Sequence, residues 1–341
     1  MTEEIRIDGK FSSGSFWKLV KRMKNKTEEP PHAVESKEGE ILTETEQIVN
    51  RYGEYYEDLL TTTNKRTKLP ENKEVVTQVD KKFAEILRKA KEQIPKKTDQ
   101  EMMEKIVSGL KKGKARDSED WNNEMIINGG NEMVRSLVLM ADEVKEKLEI
   151  PKQWQSMKSA HKKEVKEKLT NKRGLFLTNI ISKVFKKLLD NETSGRYDAG
   201  QNGGRKRKGT LDNWIILGAQ INEGRRLNKA VYIFFVDLVK CFDRLWLRDC
   251  IVDLNKCGMK ESEVAMVYEL NKEARFRVDT PSGLTEEVKV KEIVKQGIVF
   301  GPKLCCASTG EINQGLHRQL LYPEVTVQAI TFMDDINAGG E

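Results

Sequence analysis

The chain has 341 residues, 33% of them charged and 38% hydrophobic, with a formal net charge of +6, so it is long enough for one large domain or two and polar overall. No apolar run approaches the ~18 residues that a membrane-crossing helix needs, and the opening Met1-Thr-Glu-Glu is not a signal peptide. The five cysteines form no Cys-x-x-Cys pair and read as reduced thiols of an intracellular protein, nuclear or cytoplasmic; three scattered histidines argue against His-based catalysis.

Residues 1 to about 40 are polar, broken at Pro30-Pro31, and read as a linker with a short helix around Phe16 to Met23. Thr43-x-x-Glu46 is a capping-box pattern heading a helix with Ile48, Tyr52, Tyr55 or Tyr56, and Leu59 on one face. A second amphipathic helix is expected over Asp80 to Ile94, carrying Phe83, Ile86, Leu87 and Ala90 and stopped by Pro95. Thr98-x-x-Glu101 should cap a third, closed by Gly113. Later helices are expected with Met133, Leu137, Met140, Val144 and Leu148 on one face, then with Ile180, Val184, Phe185 and Leu188. Further helices follow over Leu211 to Ile221, around Leu247, Ile251 and Leu254, and from Leu304 to Leu316. Alternation of Phe276, Val278, Val288 and Val290 around Pro281-Ser-Gly283 reads as a β-hairpin.

Two apolar runs end in acid. Ala230-Val-Tyr-Ile-Phe-Phe-Val236 leads to Asp237, and Val325 to Met333 leads to Asp334 and Asp335. Their length and β-branched, aromatic content suit strands, the first buried on both faces. If the two strands lie side by side, the carboxylates converge on one point, and hard divalent cations with oxygen ligands are its natural occupants. Two such ions form the usual apparatus of in-line phosphoryl transfer. Basic runs accompany them: Lys111-Lys-Gly-Lys-Ala-Arg116, His161-Lys-Lys-Glu-Val-Lys-Glu-Lys168, and Arg205-Lys-Arg-Lys208 in a glycine-flanked loop. The last can lay backbone N–H groups and cations along a phosphate chain; the alternative is a solvated loop.

These residues carry a resemblance. Asp237-Leu-Val-Lys-Cys-Phe-Asp243 resembles the first catalytic motif of reverse transcriptases, and Phe332-Met-Asp-Asp335 resembles their aromatic-x-Asp-Asp turn. Gln296-Gly-Ile-Val-Phe-Gly-Pro302 resembles the Gln-Gly-x-x-x-Ser-Pro motif of the non-LTR (LINE-type) retrotransposon enzymes. Asn171-Lys-Arg-Gly174 is similar to Asn-Tyr-Arg-Gly, with Lys172 in place of Tyr. Gln201 to Asp212 is similar to Gln-x-Gly-Phe-Arg-x-x-x-Ser-Thr-x-Asp, with Gly204 and Gly209 replacing Phe and Ser. The finger loop keeps Gly-Lys-Ala, but Arg116-Asp-Ser-Glu-Asp120 replaces Pro-Gly-Pro-Asp-Gly.

The resemblance implies an α+β fold, a right-hand polymerase palm of antiparallel sheet backed by helices with mixed fingers. Residues 1–95 would be the linker and helical connector, and residues 96–341 the fingers and palm. Only Ile336 to Glu341 follow the acidic pair, read as too few for a return strand or a thumb. The implied reaction is RNA-directed DNA synthesis on an RNA template and DNA primer from dNTPs, with two Mg²⁺ ions (Mn²⁺ the alternative) and no membrane. Asp237, Asp334 and Asp335 would be catalytic and would hold the metals with the Leu238 carbonyl. Lys162, Lys163 and Arg173 would meet the triphosphate, Phe242 would gate the sugar, and Gln296 and Gly297 would border the base. Lys114, Gln201, Arg205, Lys206, Arg207 and Lys208 would contact nucleic acid. Phe242 has plain packing as its alternative. For the whole chain the alternatives are a catalytically silent, polymerase-derived fragment that only binds nucleic acid, and a metal-dependent nuclease; for want of a thumb, the chain alone is expected to bind nucleic acid weakly and to have little or no polymerase activity.

Overall fold

Amphipathic helices dominate the computed structural model, which describes residues 33–340 except 118, 162–173, 194, 206, 239–240, 281, 293, 295–298, 319–326 and 333–334. In chain order, β1 (Val34–Glu35) pairs with β2 (Ile41–Leu42), and α1 (Thr45–Arg66), α2 (Lys73–Glu92) and α3 (Gln100–Ser108) follow. Then come α4 (Asn123–Asn128), α5 (Gly130–Lys147), β3 (Ser156–His161), β4 (Gly174–Thr178), α6 (Ile180–Glu192) and α7 (Thr210–Leu227). The rest is β5 (Tyr232–Asp237), α8 (Cys241–Arg244), α9 (Leu247–Lys256), α10 (Glu261–Glu269), β6 (Glu273–Arg277), β7 (Asp279–Thr280), β8 (Gly283–Leu284), β9 (Val288–Lys291), α11 (Gly301–Arg318), β10 (Val327–Phe332) and β11 (Asp335–Gly340). The expected helix at Phe16 to Met23 lies outside the described residues.

Most of the expected stripes are buried. Ile48, Tyr52, Tyr55 and Tyr56 of α1 are joined by Leu60, while Leu59 is half-buried. They pack against Ala274, Phe276, Val288 and Val290 of the β6–β9 hairpin in a small core of their own. A larger core unites α2, α3, α5, α6, α9, α10 and α11. Val79, Phe83 and Ile86 of α2 sit in it beside Ile251 and Val264, so both sides of the boundary expected near residue 95 share one interior. Arg248 ties these elements from the rim. Its guanidinium donates to Asp80 at 2.8 Å and to Glu292 at 2.6 Å and lies over the Phe83 ring.

Helix ends depart from the sequence reading for local reasons. α2 starts at Lys73, seven residues before Asp80, because the 3₁₀ turn Pro70–Asn72 feeds it; its first turn is exposed, and Val79 is its first buried residue. Asp99, not Thr98, caps α3, its carboxylate accepting from the Glu101 N–H at 2.9 Å. Thr98 is drawn off by Lys145, whose Nζ donates to its hydroxyl at 3.0 Å and to Glu192 at 2.9 Å. Gly109 follows the last turn of α3, leaving Gly113, at φ +69°, for the loop beyond.

Two sheets matter for function. One has the order β4-β3-β6-β9, with β3 parallel to β6 and the other neighbours antiparallel. The other is antiparallel throughout, in the order β10-β11-β5, with α11 and α7 packed on β10. The architecture is therefore mixed α/β with small, mainly antiparallel sheets.

Two expectations fail here. Asp335–Gly340 does make a return strand, pairing over its whole length with β10 on one side and β5 on the other. Six residues suffice because each needs only one partner per side, and neither apolar side chains nor β propensity is required of a strand held from both edges. Nor is β5 buried on both faces. It is the edge strand, and Tyr232, Phe234 and Phe235 are each about two-thirds exposed, at 65%, 67% and 68%.

Candidate active site

The two apolar strands do not lie side by side as expected, since β11 separates β5 from β10. The register nevertheless produces an acidic pair. Asp335 is the cross-strand partner of Asp237, and Phe332 is the partner of Asp335 on the other side. Directly opposed residues of antiparallel strands have Cα atoms roughly 4.5–5.5 Å apart and share a face. Like charges so placed destabilise a sheet unless a cation lies between them. That is the donor chemistry of a magnesium site, hard carboxylate oxygens on rigid backbone, so the residues present fit the expected ion. Asp237 is exposed at the end of β5, and the Leu238 carbonyl beyond it accepts the Cys241 N–H at 3.0 Å, leaving one lone pair for another partner. Asp334 lies outside the described residues, and among these no cluster of three ligating side chains occurs.

Residues 160–341 match the family described as reverse transcriptase (RNA-dependent DNA polymerase), which is a little over half of the chain. The chain belongs to the reverse transcriptase family. The match runs from the end of β3 to the end of the sequence and includes both acidic strands. No curated protein matches the chain closely enough to count as a relative.

Around the pair, this reverse transcriptase domain places the other expected residues unevenly. Phe242 is half-buried and packs against the large core, directly after the turn closed by the Leu238–Cys241 bond. Lys162, Lys163, Arg173, Lys206, Gln296 and Gly297 lie outside the described residues; the strands flanking the first three, β3 and β4, pair antiparallel.

The glycine-flanked basic loop is held from within. Gln201 is fully buried; its amide nitrogen donates to Thr309 on α11 at 2.8 Å and its amide oxygen accepts the Gly203 N–H at 2.8 Å. It cannot reach a nucleic acid, so its expected contact is replaced by a structural role. Arg205 turns inward as well, donating to the Gln201 carbonyl at 3.1 Å. Among the described residues the loop's outward cations are Arg207, in the left-handed region at φ +64°, and Lys208, 3.6 Å from Asp212. Asp212 accepts the Gly209 N–H at 2.7 Å at the start of α7, and that bond, with Lys208 adding to it, holds its carboxyl below the usual range.

The finger loop is organised by a residue that sequence reading passed over. Asp117 is 4% exposed. One carboxylate oxygen accepts the Ile180 N–H at the first turn of α6 at 2.8 Å; the other accepts the N–H groups of Glu119 at 2.9 Å and Trp121 at 3.0 Å. A carboxylate at a helix N-terminus is favoured by the helix dipole as well as by these bonds. Upstream, Glu124 accepts the Gly113 N–H at 2.5 Å and Asn123 donates to the Lys111 carbonyl at 2.7 Å. Lys111 to Arg116 are exposed on this anchored backbone. The replacement Arg116-Asp-Ser-Glu-Asp120 thus makes a definite turn. An Asp two to four residues ahead of polar turn residues was its only sequence signal.

Proposed function

We propose that the chain is the fingers and palm of a non-LTR retrotransposon reverse transcriptase, joining dNTPs to a primer 3′-hydroxyl on an RNA template. The observation that carries the reading is the Asp237–Asp335 register, in the strand order that sets the two family motifs against one another. The three-stranded sheet backed by α11 and α7 would be the palm, and the β3–β4 hairpin part of the fingers. The non-LTR assignment rests on the Gln296-Gly-Ile-Val-Phe-Gly-Pro302 and Asn171-Lys-Arg-Gly174 elements.

Asp237 and Asp335, with Asp334, would hold two Mg²⁺ ions. When bound, these supply a lowered pKa for the primer hydroxyl and charge stabilisation at the leaving phosphate oxygen. Asp237 contributes a carboxylate fixed by the end of β5, so ligand geometry is set by the sheet and not by a loop. Lys162, Lys163 and Arg173 would pair with the triphosphate, a guanidinium matching phosphate oxygens in a bidentate way. Phe242 would exclude a ribose 2′-hydroxyl, and its packing against the core would keep the ring from yielding.

Calorimetric titration with Mg²⁺ tests the site, and primer extension on RNA tests the reaction. Asp237→Asn should abolish measurable Mg²⁺ binding and lower any extension on the order of 10³-fold while leaving thermal unfolding unchanged. Equal Mg²⁺ affinity in wild type and variant removes the reading.

A further inference from the structure

The face of α6 next to the finger loop gathers cations with no carboxylate paired to them among the described residues. Lys183 and Lys187 are four residues apart, hence on one face of the helix, and both are half-buried. Lys114 comes to them from the loop, because Asp117, three residues further on, is bonded to the first turn of α6 through Ile180. Lys183 feels the other two. Burial lowers the affinity of Lys183 for its proton, and the charges of Lys187 and Lys114 lower it further, with no carboxylate acting the other way. Like charges at this spacing on a helix are destabilising. A solvated basic face would spread its lysines apart and let them extend; here two are half-buried and the loop is pinned by five hydrogen bonds to Asp117, Glu124 and Asn123.

We propose that Lys114, Lys183 and Lys187 form one preassembled site for the phosphodiester backbone of a single-stranded nucleic acid, with Asp117 as its positioning residue. An anion placed among three cations removes their repulsion and gains charge-assisted hydrogen bonds. Three donors along a rigid helix and an anchored loop suit successive phosphates, which carry charge in every sequence. The site joins a loop outside the family-matched residues to a helix inside them, so neither segment reveals it alone. It deepens the polymerase reading and rests on it, since the template is the single strand such an enzyme must hold.

The test is fluorescence anisotropy of a short single-stranded RNA against salt concentration, with wild type and K114Q/K183Q/K187Q. The triple variant should lose roughly 0.7 log unit of salt slope for each phosphate it no longer neutralises, about 2 in all, equally for RNAs of different sequence. Its thermal midpoint should stay level or rise, because repulsion has been removed; a merely structural set of lysines would lower it. An unchanged slope in a folded variant overturns the site and leaves the polymerase reading intact. A lost slope, with no Mg²⁺ binding at Asp237 in the wild type, upholds the site and defeats that reading. Loss of binding to phosphatidylserine vesicles with RNA binding retained would assign the lysines to a membrane and overturn the proposal. Should the variant fail to fold, ¹³C-methylated Lys183 in the wild-type chain gives the same answer. RNA should raise its pKa, and an unmoved titration overturns the site.

Discussion

In the loop between α3 and α4 a carboxylate does the anchoring, and in the loop between α6 and α7 an amide and a guanidinium do it. Asp117 takes the backbone N–H groups of its own turn and of α6, so no lysine is needed to hold the first loop, and Lys111 to Arg116 remain outside. The second loop turns Gln201 and Arg205 upon itself, and Lys208 faces Asp212. Similar runs of positive charge thus arrive at opposite uses. What separates them is the identity of the anchoring group, not the number of cations.

The comparison breaks most completely at Asp117. Asp117→Ala leaves the buried Ile180 N–H without its partner and removes three charge-assisted bonds, a loss of about 3 kcal/mol readable as a lowered urea midpoint. The salt slope of RNA binding should fall with it, since Lys114 is no longer held on α6.

Next in size is Lys186, on the same helix and fully buried. Burial pulls its pKa from 10.5 down to about 8. The unfolded chain therefore binds more protons between about pH 8 and 10.5, and stability rises with pH through that window. At neutral pH the lysine costs up to roughly 3 kcal/mol. Lys186→Met should recover part of that in thermal melts near pH 7 and abolish the rise; a wild-type stability flat from about pH 8 to about pH 10 would show that the ammonium finds relief in the fold.

In the second loop Gln201→Ala should cost about 2 kcal/mol, by orphaning the Gly203 N–H and leaving the Thr309 hydroxyl without its donor. Its effect on RNA binding should come only through loosening of Arg207 and Lys208. Smallest is Arg207→Gln with Lys208→Gln. The Lys208–Asp212 pair is exposed and screened by solvent, so melting should hardly move, while the salt slope falls by up to roughly 0.7 for each phosphate left unneutralised. If this double substitution lowers the slope more than replacing the three lysines at α6 does, the contrast between the loops is reversed.

How much of this was legible beforehand depended on whether a feature repeats. The stripes of α1, α6 and α9 recur at helical spacing, and most of their residues are buried where expected. Asp237 and Asp335 drew attention because each stands at the end of an apolar run, and the register pairs them. β11 was missed because Asp335-Ile-Asn-Ala-Gly-Gly340 has no strand signature, and its strand state comes from neighbours on both sides. Asp117 and Gln201 were missed or misassigned because a polar side chain's destination, inward or outward, is decided by tertiary hydrogen bonds that leave no periodic trace. Lys183 and Lys187 lay within a stripe read for its apolar members alone.

The exposed edge of the sheet that carries the acidic pair bears on colloidal behaviour. Tyr232, Phe234, Phe235 and Val236 present aromatic and branched surface on both sides of β5, beside a row of backbone groups facing away from β11. Such an edge is a template for pairing, and nature usually blunts it with lysine, proline or a covering segment. None of the six residues of β5 is a lysine or a proline, and its only charge is Asp237 at the far end. Filling the acidic pair with cation would also remove the charge that keeps two such edges apart. Light scattering should therefore rise with protein concentration, and rise sooner when Mg²⁺ is added; Phe235→Lys should restore a clear solution without touching the acidic pair.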